Sequence, residues 1–203
     1  MKKNKSNKII FIILLLLIGS NLQSNSLENI VCDSILSSSK KYNIEPKVFM
    51  SIVDTESNFS PYPISVVLNK KKAFALSKEL KNNHIKHVVR KYKKSKIVSI
   101  DPSTIKNAIK ALIIVKKTKS LKYDLGIAQI NKCKIIDKGW DEIKILTDLP
   151  YSIDKSAKII RNCMNIHKDT KKAIECYNKG EYAKYIEFDY YSKVKKAYDR
   201  SPL

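Results

Sequence analysis

Glycine is scarce in this chain of 203 residues. It has only four, far apart, at Gly19, Gly126, Gly139 and Gly180. Neither the Gly-x-Gly-x-x-Gly turn of dinucleotide-binding proteins nor the Walker phosphate loop can be built from them, so both kinds of nucleotide site are excluded. Proline and glycine together are few and 43% of the residues are apolar, which excludes disorder of the whole chain. The length fits one domain with a substantial core.

Arginine is also scarce. Of 40 basic residues only three are arginine, at Arg90, Arg161 and Arg200. The net charge of +21 would otherwise suggest nucleic-acid binding, since a basic surface attracts phosphates. Base readout and bidentate phosphate binding, however, favour the planar fork of arginine. We therefore expect no nucleic-acid partner and interpret the excess of Lys as a compositional bias.

The N-terminus has the pattern of a secretory signal peptide. Four lysines precede an unbroken apolar run over 9–18, and small and polar residues follow. This run is short for a membrane anchor, which needs about 20 apolar residues. We predict a signal peptide over 1–26, with an uncleaved anchor as the alternative, and a domain over 27–203 in the periplasm or cell envelope. Membrane contact is expected only through the N-terminal segment or weak electrostatic attraction.

The sequence has no Cys-x-x-Cys pair, and its histidines are not at ligand spacing with the cysteines. His84 and His87 could share a helix face, but no carboxylate lies nearby to complete a site. No metal and no cofactor are therefore predicted. In an oxidising compartment four cysteines indicate two disulfides, and the sequence leaves three pairings open. The four are Cys32, Cys133, Cys163 and Cys176.

Apolar spacing in the mature chain predicts a series of helices. They are expected over 28–42, from Glu45-Pro46 onward, over 102–118 with an N-cap at Asp101-Pro102-Ser103, over 152–167, in a segment ending near Gly180, and over 181–199. The best strand signal is the short run Val66-Val67-Leu68. The predicted fold class is all-α: a single, mainly helical domain with minimal strands.

Residues 69–96 differ from the rest because basic side chains dominate them. A solvated helical excursion is the preferred interpretation, because charge runs usually mark solvated faces. A binding surface is the alternative.

The helix beginning at Pro46 carries the sharpest chemical signal. At 100° per residue, Glu56 falls in the middle of an apolar stripe, while Asp54 lies on the opposite face. The stripe consists of Val48, Phe49, Ile52 and Val53. A carboxyl aimed into the protein must be paired or have a raised pKa, and a carboxyl protonated near neutral pH suits a general acid. A buried Glu paired with Lys or backbone donors is the structural alternative.

Three segments, in order, resemble the motifs of the soluble lytic transglycosylase family. Residues 42–59, YNIEPKVFMSIVDTESNF, are similar to its first motif, in which a Glu-Ser pair ends the catalytic helix. Residues 123–131, YDLGIAQIN, resemble its Gly-Leu-Met-Gln-Ile-Asn loop, and residues 175–180, ECYNKG, its Ala-Tyr-Asn-x-Gly motif. The resemblance extends over about 32–62 and 123–194. It covers poorly the Lys-rich insertion at about 63–122.

The resemblance implies a lysozyme-like fold with a groove that cleaves the β-1,4 bond between N-acetylmuramic acid and N-acetylglucosamine in peptidoglycan. Glu56 matches the family's acid/base residue, which protonates the glycosidic oxygen and then activates the muramic acid 6-hydroxyl, giving a 1,6-anhydro end. Such a mechanism needs one carboxyl, whereas hydrolases usually use two. Asp124 is the only rival as a second carboxyl, and we interpret it as a loop residue.

The resemblance also implies the substrate-binding residues. They are Ser57, Gln129, Asn131, Tyr177 and Asn178. Amides and hydroxyls of these types hydrogen-bond acetamido and hydroxyl groups, although Tyr177 also fits a core position on its helix stripe. Ala128 stands where the family usually has Met, which leaves the specificity of the groove open.

The disulfide hypothesis follows from the same resemblance. Cys163 and Cys176 are placed as in secretion-linked relatives, and pairing them leaves Cys32 with Cys133. The chain as a whole resembles the small transglycosylases that accompany type IV or type III secretion, conjugation or pilus machines. The expected function is local opening of the wall for such an apparatus, with glycan strands and possible machine subunits as partners. A hydrolytic muramidase and a non-catalytic exported adaptor are the alternatives.

Overall fold

The computed structural model describes residues 27–201, so the predicted signal peptide lies outside the described residues. The helices are α1 (27–42), α2 (Pro46–Ser57), α3 (Lys70–Asn82), α4 (Ile105–Lys117), α5 (Lys132–Asp137), α6 (Glu142–Thr147), α7 (Leu149–Ile166), α8 (Thr170–Lys179) and α9 (Asp189–Arg200). The strands are β1 (Ile64–Leu68), β2 (His87–Tyr92), β3 (Ser95–Ile100), β4 (Tyr123–Leu125) and β5 (Ile130–Asn131). The prediction of a mainly helical domain is confirmed.

Helix boundaries follow local chemistry. Pro46 begins α2, where its missing N–H leaves no bond unmade, and Asn58 ends the helix in the left-handed conformation at φ 50°. The N-cap of α4 is Thr104, whose hydroxyl accepts from the Asn107 backbone N–H, rather than the predicted 101–103 segment. Asp148 caps α7 through the backbone N–H of Tyr151.

The strands form only a small sheet beside the helices, as predicted. The strands form one antiparallel sheet in the order β2-β3-β1-β4-β5, and the Val66–Leu68 run is part of β1. The helical prediction for 69–96 holds only for α3, because the chain then folds into the β2–β3 hairpin. The hairpin has the β-branched Val and Ile residues that favour strands, but they stand in adjacent pairs, Val88-Val89 and Ile97-Val98, so apolar and polar residues do not alternate regularly.

The core lies between one sheet face and the helices. Alternate residues of β1 and β3 are buried on the face that contacts α3, among them Val66, Val98 and Ile100. Phe49 and Ile52 of α2 are fully buried. Helix α2 packs against α9, so its last turn is fixed within the fold.

One disulfide joins α7 to α8, between Cys163 and Cys176, with sulfurs 2.02 Å apart. The predicted partner disulfide is wrong, because Cys32 and Cys133 are free thiols. Cys32 lies on α1 in a groove beside Met50, whereas Cys133 lies in the first turn of α5 beside a different cavity. The two thiols therefore occupy different surfaces.

Candidate active site

A cavity of about 520 Å³ opens where the C-terminal end of α2 meets the sheet and α8. Five of the six predicted catalytic and substrate-binding residues line it. They are Glu56, Gln129, Asn131, Tyr177 and Asn178. The motifs are far apart in sequence, and the fold brings them to one cleft.

Glu56 presents a buried carboxyl to this cleft from the last turn of α2. Its pKa is raised to about 7, chiefly because burial costs the charged form its solvation and also because the nearby charge of Asp124 disfavours a second charge. The hydroxyl of Tyr190 donates a 2.5 Å hydrogen bond to Glu56 Oε1, and this bond lowers the pKa of Glu56. The Asn178 side chain and the charge of Lys193 lower it as well. The carboxyl therefore holds its proton at a pH where ordinary carboxyls have lost theirs.

Ser57 does not join the cleft. Its hydroxyl donates to the backbone carbonyl of Val53 over 3.2 Å, within its own helix, and its side chain does not line the cavity. The resemblance implied a substrate contact for Ser57, but its position here is that of a helix residue bonded to the preceding turn.

Gln129 shapes the loop between β4 and β5. Its amide nitrogen donates to the carbonyls of Pro63 and Gly126, at 3.1 and 3.0 Å, and its oxygen accepts from the Ser65 hydroxyl at 2.8 Å. Gly126 makes this loop possible: its φ is +73°, and an added Cβ would come within 2.2 Å of the Ile145 carbonyl oxygen. The Gln129 side chain therefore makes one bond within the loop and two to residues 63–65, which tie the loop to β1.

Tyr177 ties α8 to the same loop. Its hydroxyl donates to the carbonyl of Ala128 over 2.7 Å, and burial together with the Glu56 charge raises its pKa well above the ordinary value. Ala128 itself is fully buried, so the position at which the sequence departs from the family motif faces the core. Asn178 follows at the exposed end of α8, on the rim of the cleft.

Asp124 is a strand residue, so its interpretation as a loop residue is wrong. It lies in β4, paired with Ser65 of β1 and Asn131 of β5, and lines the cleft with Glu56. Asn131 Nδ2 donates to its Oδ1 at 2.8 Å, and the Ser65 hydroxyl shares its one proton between Asp124 Oδ2, at 3.3 Å, and Gln129 Oε1, at 2.8 Å. Burial still raises the pKa of Asp124, because desolvation outweighs these bonds.

Comparison with protein families identifies this arrangement. The sequence model of the transglycosylase SLT domain matches residues 33–199. The chain belongs to this family. Searches among curated proteins and among solved structures gave no significant match. The match spans all five cleft residues above, so this transglycosylase SLT domain is an enzyme, a lytic transglycosylase acting on peptidoglycan.

Tyr190 belongs to this SLT domain's site but is not among the residues predicted from the sequence. Tyr190 is buried with Val194 and Ala197 on one stripe of α9. Helical spacing could show that its ring points inward. The bond to Glu56 depends on the packing of α9 against α2, which spacing within α9 alone does not reveal.

Within residues 27–201 the SLT domain has no cluster of three His, Cys, Asp or Glu residues suited to hold a metal ion. Over the same residues, no helix is long and apolar enough to cross a membrane.

Proposed function

We propose that this transglycosylase cleaves the β-1,4 bond between N-acetylmuramic acid and N-acetylglucosamine and leaves a 1,6-anhydro end, with Glu56 as the catalytic acid and base. The observation that carries the proposal is the buried Glu56 carboxyl, whose pKa is raised to about 7 inside a cleft large enough for sugar rings. A group that titrates near the working pH both gives and takes a proton readily.

The proposed reaction conserves every atom and needs no water. Glu56 gives its proton to the glycosidic oxygen as the C1–O bond breaks. The resulting carboxylate takes the proton of the muramic acid 6-hydroxyl, and O6 forms the new bond to C1. Glu56 ends protonated, ready for another cycle.

A second candidate, hydrolysis of the same bond, is favoured by one observation. Asp124 places a second carboxyl in the cleft, near enough for its charge to raise the pKa of Glu56. Retaining glycoside hydrolases use such a pair, one carboxyl as acid and the other as nucleophile or electrostatic partner.

Mass spectrometry of the released muropeptides separates the two reactions, since a hydrolytic product is heavier by one water than the anhydro form. Glu56→Gln should lower the rate by about 10²- to 10⁴-fold in either case. Asp124→Asn should leave the anhydro product and most of its rate, whereas a hydrolase would lose more than about a hundredfold. Products carrying the extra water would overturn the proposal, and wild-type activity in Glu56→Gln would overturn the catalytic assignment.

We further propose that the enzyme is exported to the periplasm or cell envelope and opens the wall locally for a secretion, conjugation or pilus apparatus. Support comes from the basic and apolar pattern over 1–26 and from the Cys163–Cys176 disulfide, which suits an oxidising compartment. Cell fractionation tests the location. Deletion of the gene should impair assembly of the apparatus, and the Glu56→Gln protein should fail to restore it.

A further inference from the structure

One face of the five-stranded sheet continues the floor of the cleft. Alternate side chains of a strand share a face, so the register sets Asn131, Asp124, Ser65, Ser99 and Val88 in one row across the sheet. The first three line the cleft. The row then leads onto the β2–β3 hairpin, whose outer face carries the half-exposed Val88.

Tyr92 marks the far end of this face. It is the last residue of β2, lies on the same face as Val88, and lines the cavity that contains Glu56. Tyr92 is 45% exposed. An exposed aromatic ring beside a sugar cleft suits packing against a pyranose ring, because it offers a large apolar face at little entropic cost.

The hairpin is also strongly cationic. Residues 87–100 contain five basic residues and no Asp or Glu, and they are Arg90, Lys91, Lys93, Lys94 and Lys96. None of the five makes an ion pair with any residue of 27–201. Lys134 and Lys179 inside the cleft, by contrast, pair with Glu181 and Glu175. The hairpin charges therefore remain available for an anionic ligand.

We propose that the β2–β3 hairpin extends the glycan-binding cleft and recognises the peptide stems of peptidoglycan. Tyr92 packs against a sugar of the strand, and the basic residues near the tip bind the carboxylates of the stems. The N-acetylated sugars themselves are uncharged, so the stems are the part of the substrate that complements the hairpin charge. The inference rests on the proposed cleavage of peptidoglycan, and it adds that the enzyme prefers glycan strands that carry peptide stems.

The test compares two substrates that differ only in the stems: glycan strands with peptides, and the same strands after an amidase has removed them. The variant Arg90→Gln/Lys93→Gln/Lys94→Gln removes three charges from the outer face and tip of the hairpin. A matched control, Lys70→Gln/Lys71→Gln/Lys78→Gln, removes three charges from exposed positions of α3 without an ion pair within 27–201.

The hairpin variant should raise KM for the peptide-bearing strands about tenfold, at low salt, and leave KM for the bare strands unchanged. The α3 control should change neither value. Tyr92→Ala should raise KM about fivefold on both substrates with little effect on kcat, and Tyr92→Phe should behave as wild type, since the ring is kept.

Three results would overturn this inference. The wild type could cleave both substrates with equal kcat/KM, the hairpin variant could raise KM equally for both substrates, or the α3 control could raise KM for the peptide-bearing strands as much as the hairpin variant does. Failure of the proposed function looks different. In that case neither the wild type nor the hairpin variant releases anhydro ends from either substrate.

Discussion

The hydroxyl of Tyr190 and the carboxyl of Glu56 form a 2.5 Å hydrogen bond that joins α9 to the last turn of α2. Because the hydroxyl donates, the bond favours the charged carboxylate and holds the pKa of Glu56 below the value that burial alone would produce. Tyr190 is buried and Glu56 is half-buried at the wall of the cleft, so the bond also fixes the orientation of the carboxyl.

Tyr190→Phe should therefore raise the pKa of Glu56. Wild-type kcat/KM should fall as pH rises through about 7, because the general acid loses its proton, and the variant's alkaline limb should lie at higher pH. The maximal rate should fall about tenfold, since the carboxyl loses the bond that positions it. A pH series of kcat/KM for both proteins measures this. An alkaline limb that stays in place would contradict the bond's effect on Glu56.

Asp124→Asn should shift the same limb in the opposite direction. The charge of Asp124 disfavours a second charge on Glu56, so its removal lowers the pKa of Glu56 and moves the limb to lower pH. Asn is nearly isosteric and can still bond Ser65 and Asn131. Opposite shifts in the two variants would separate electrostatic effects from a general loss of structure, which would move both limbs alike.

Glu56→Gln should stabilise the folded protein at high pH. The folded pKa, about 7, lies above the ordinary 4.5, so the stability that the protonated carboxyl contributes is fully present below about pH 4.5 and lost as pH rises through 7. Gln cannot ionise, and the variant should gain up to about 3 kcal/mol in the free energy of unfolding at pH 8 and little at pH 4.

Urea unfolding at the two pH values measures this difference. The matched control is Glu187→Gln at an exposed position, which should change the free energy of unfolding little at either pH. Equal effects of Glu56→Gln at pH 4 and pH 8 would show that the buried carboxyl does not titrate as described.

Sequence reasoning succeeded where one helix decides the geometry. Glu56 could be placed in the apolar stripe of α2 because the helical period alone fixes its direction. Asp124 and Tyr190 could not be assigned, since their approach to Glu56 depends on strand register and on the packing of α9 against α2. The hairpin was missed for another reason: Val88-Val89 and Ile97-Val98 are adjacent pairs, so the hairpin lacks the apolar–polar alternation by which strands are recognised.

Gly126→Ala should damage both stability and activity. The alanine Cβ would lie 2.2 Å from the Ile145 carbonyl oxygen, and the backbone would have to keep its left-handed φ of +73°. Together these two effects should lower the free energy of unfolding by about 2–4 kcal/mol. Gly139→Ala is the matched control, because its φ is +63° but nothing lies within 4 Å of an added Cβ. It should lose only about 1 kcal/mol and keep full activity. Equal losses in the two variants would mean that the Ile145 contact is relieved by a small shift of the loop.

Thiol labelling tests the cysteine assignment and the extent of the cleft together. Without reduction, a bulky maleimide should add to Cys32 and Cys133 and leave the Cys163–Cys176 disulfide intact. Cys133 is exposed in the wall of the active-site cavity, so labelled protein should lose activity.

Two single variants separate the two thiols. Labelled Cys32→Ser should remain inactive, because its remaining free thiol lies in the cleft, whereas labelled Cys133→Ser should keep its activity, because Cys32 lines a different groove. Mass spectrometry counts the labels, and muropeptide release measures the activity. A protein that takes no label until it is reduced would instead have a Cys32–Cys133 disulfide, and the cleft wall around Cys133 would then be arranged differently.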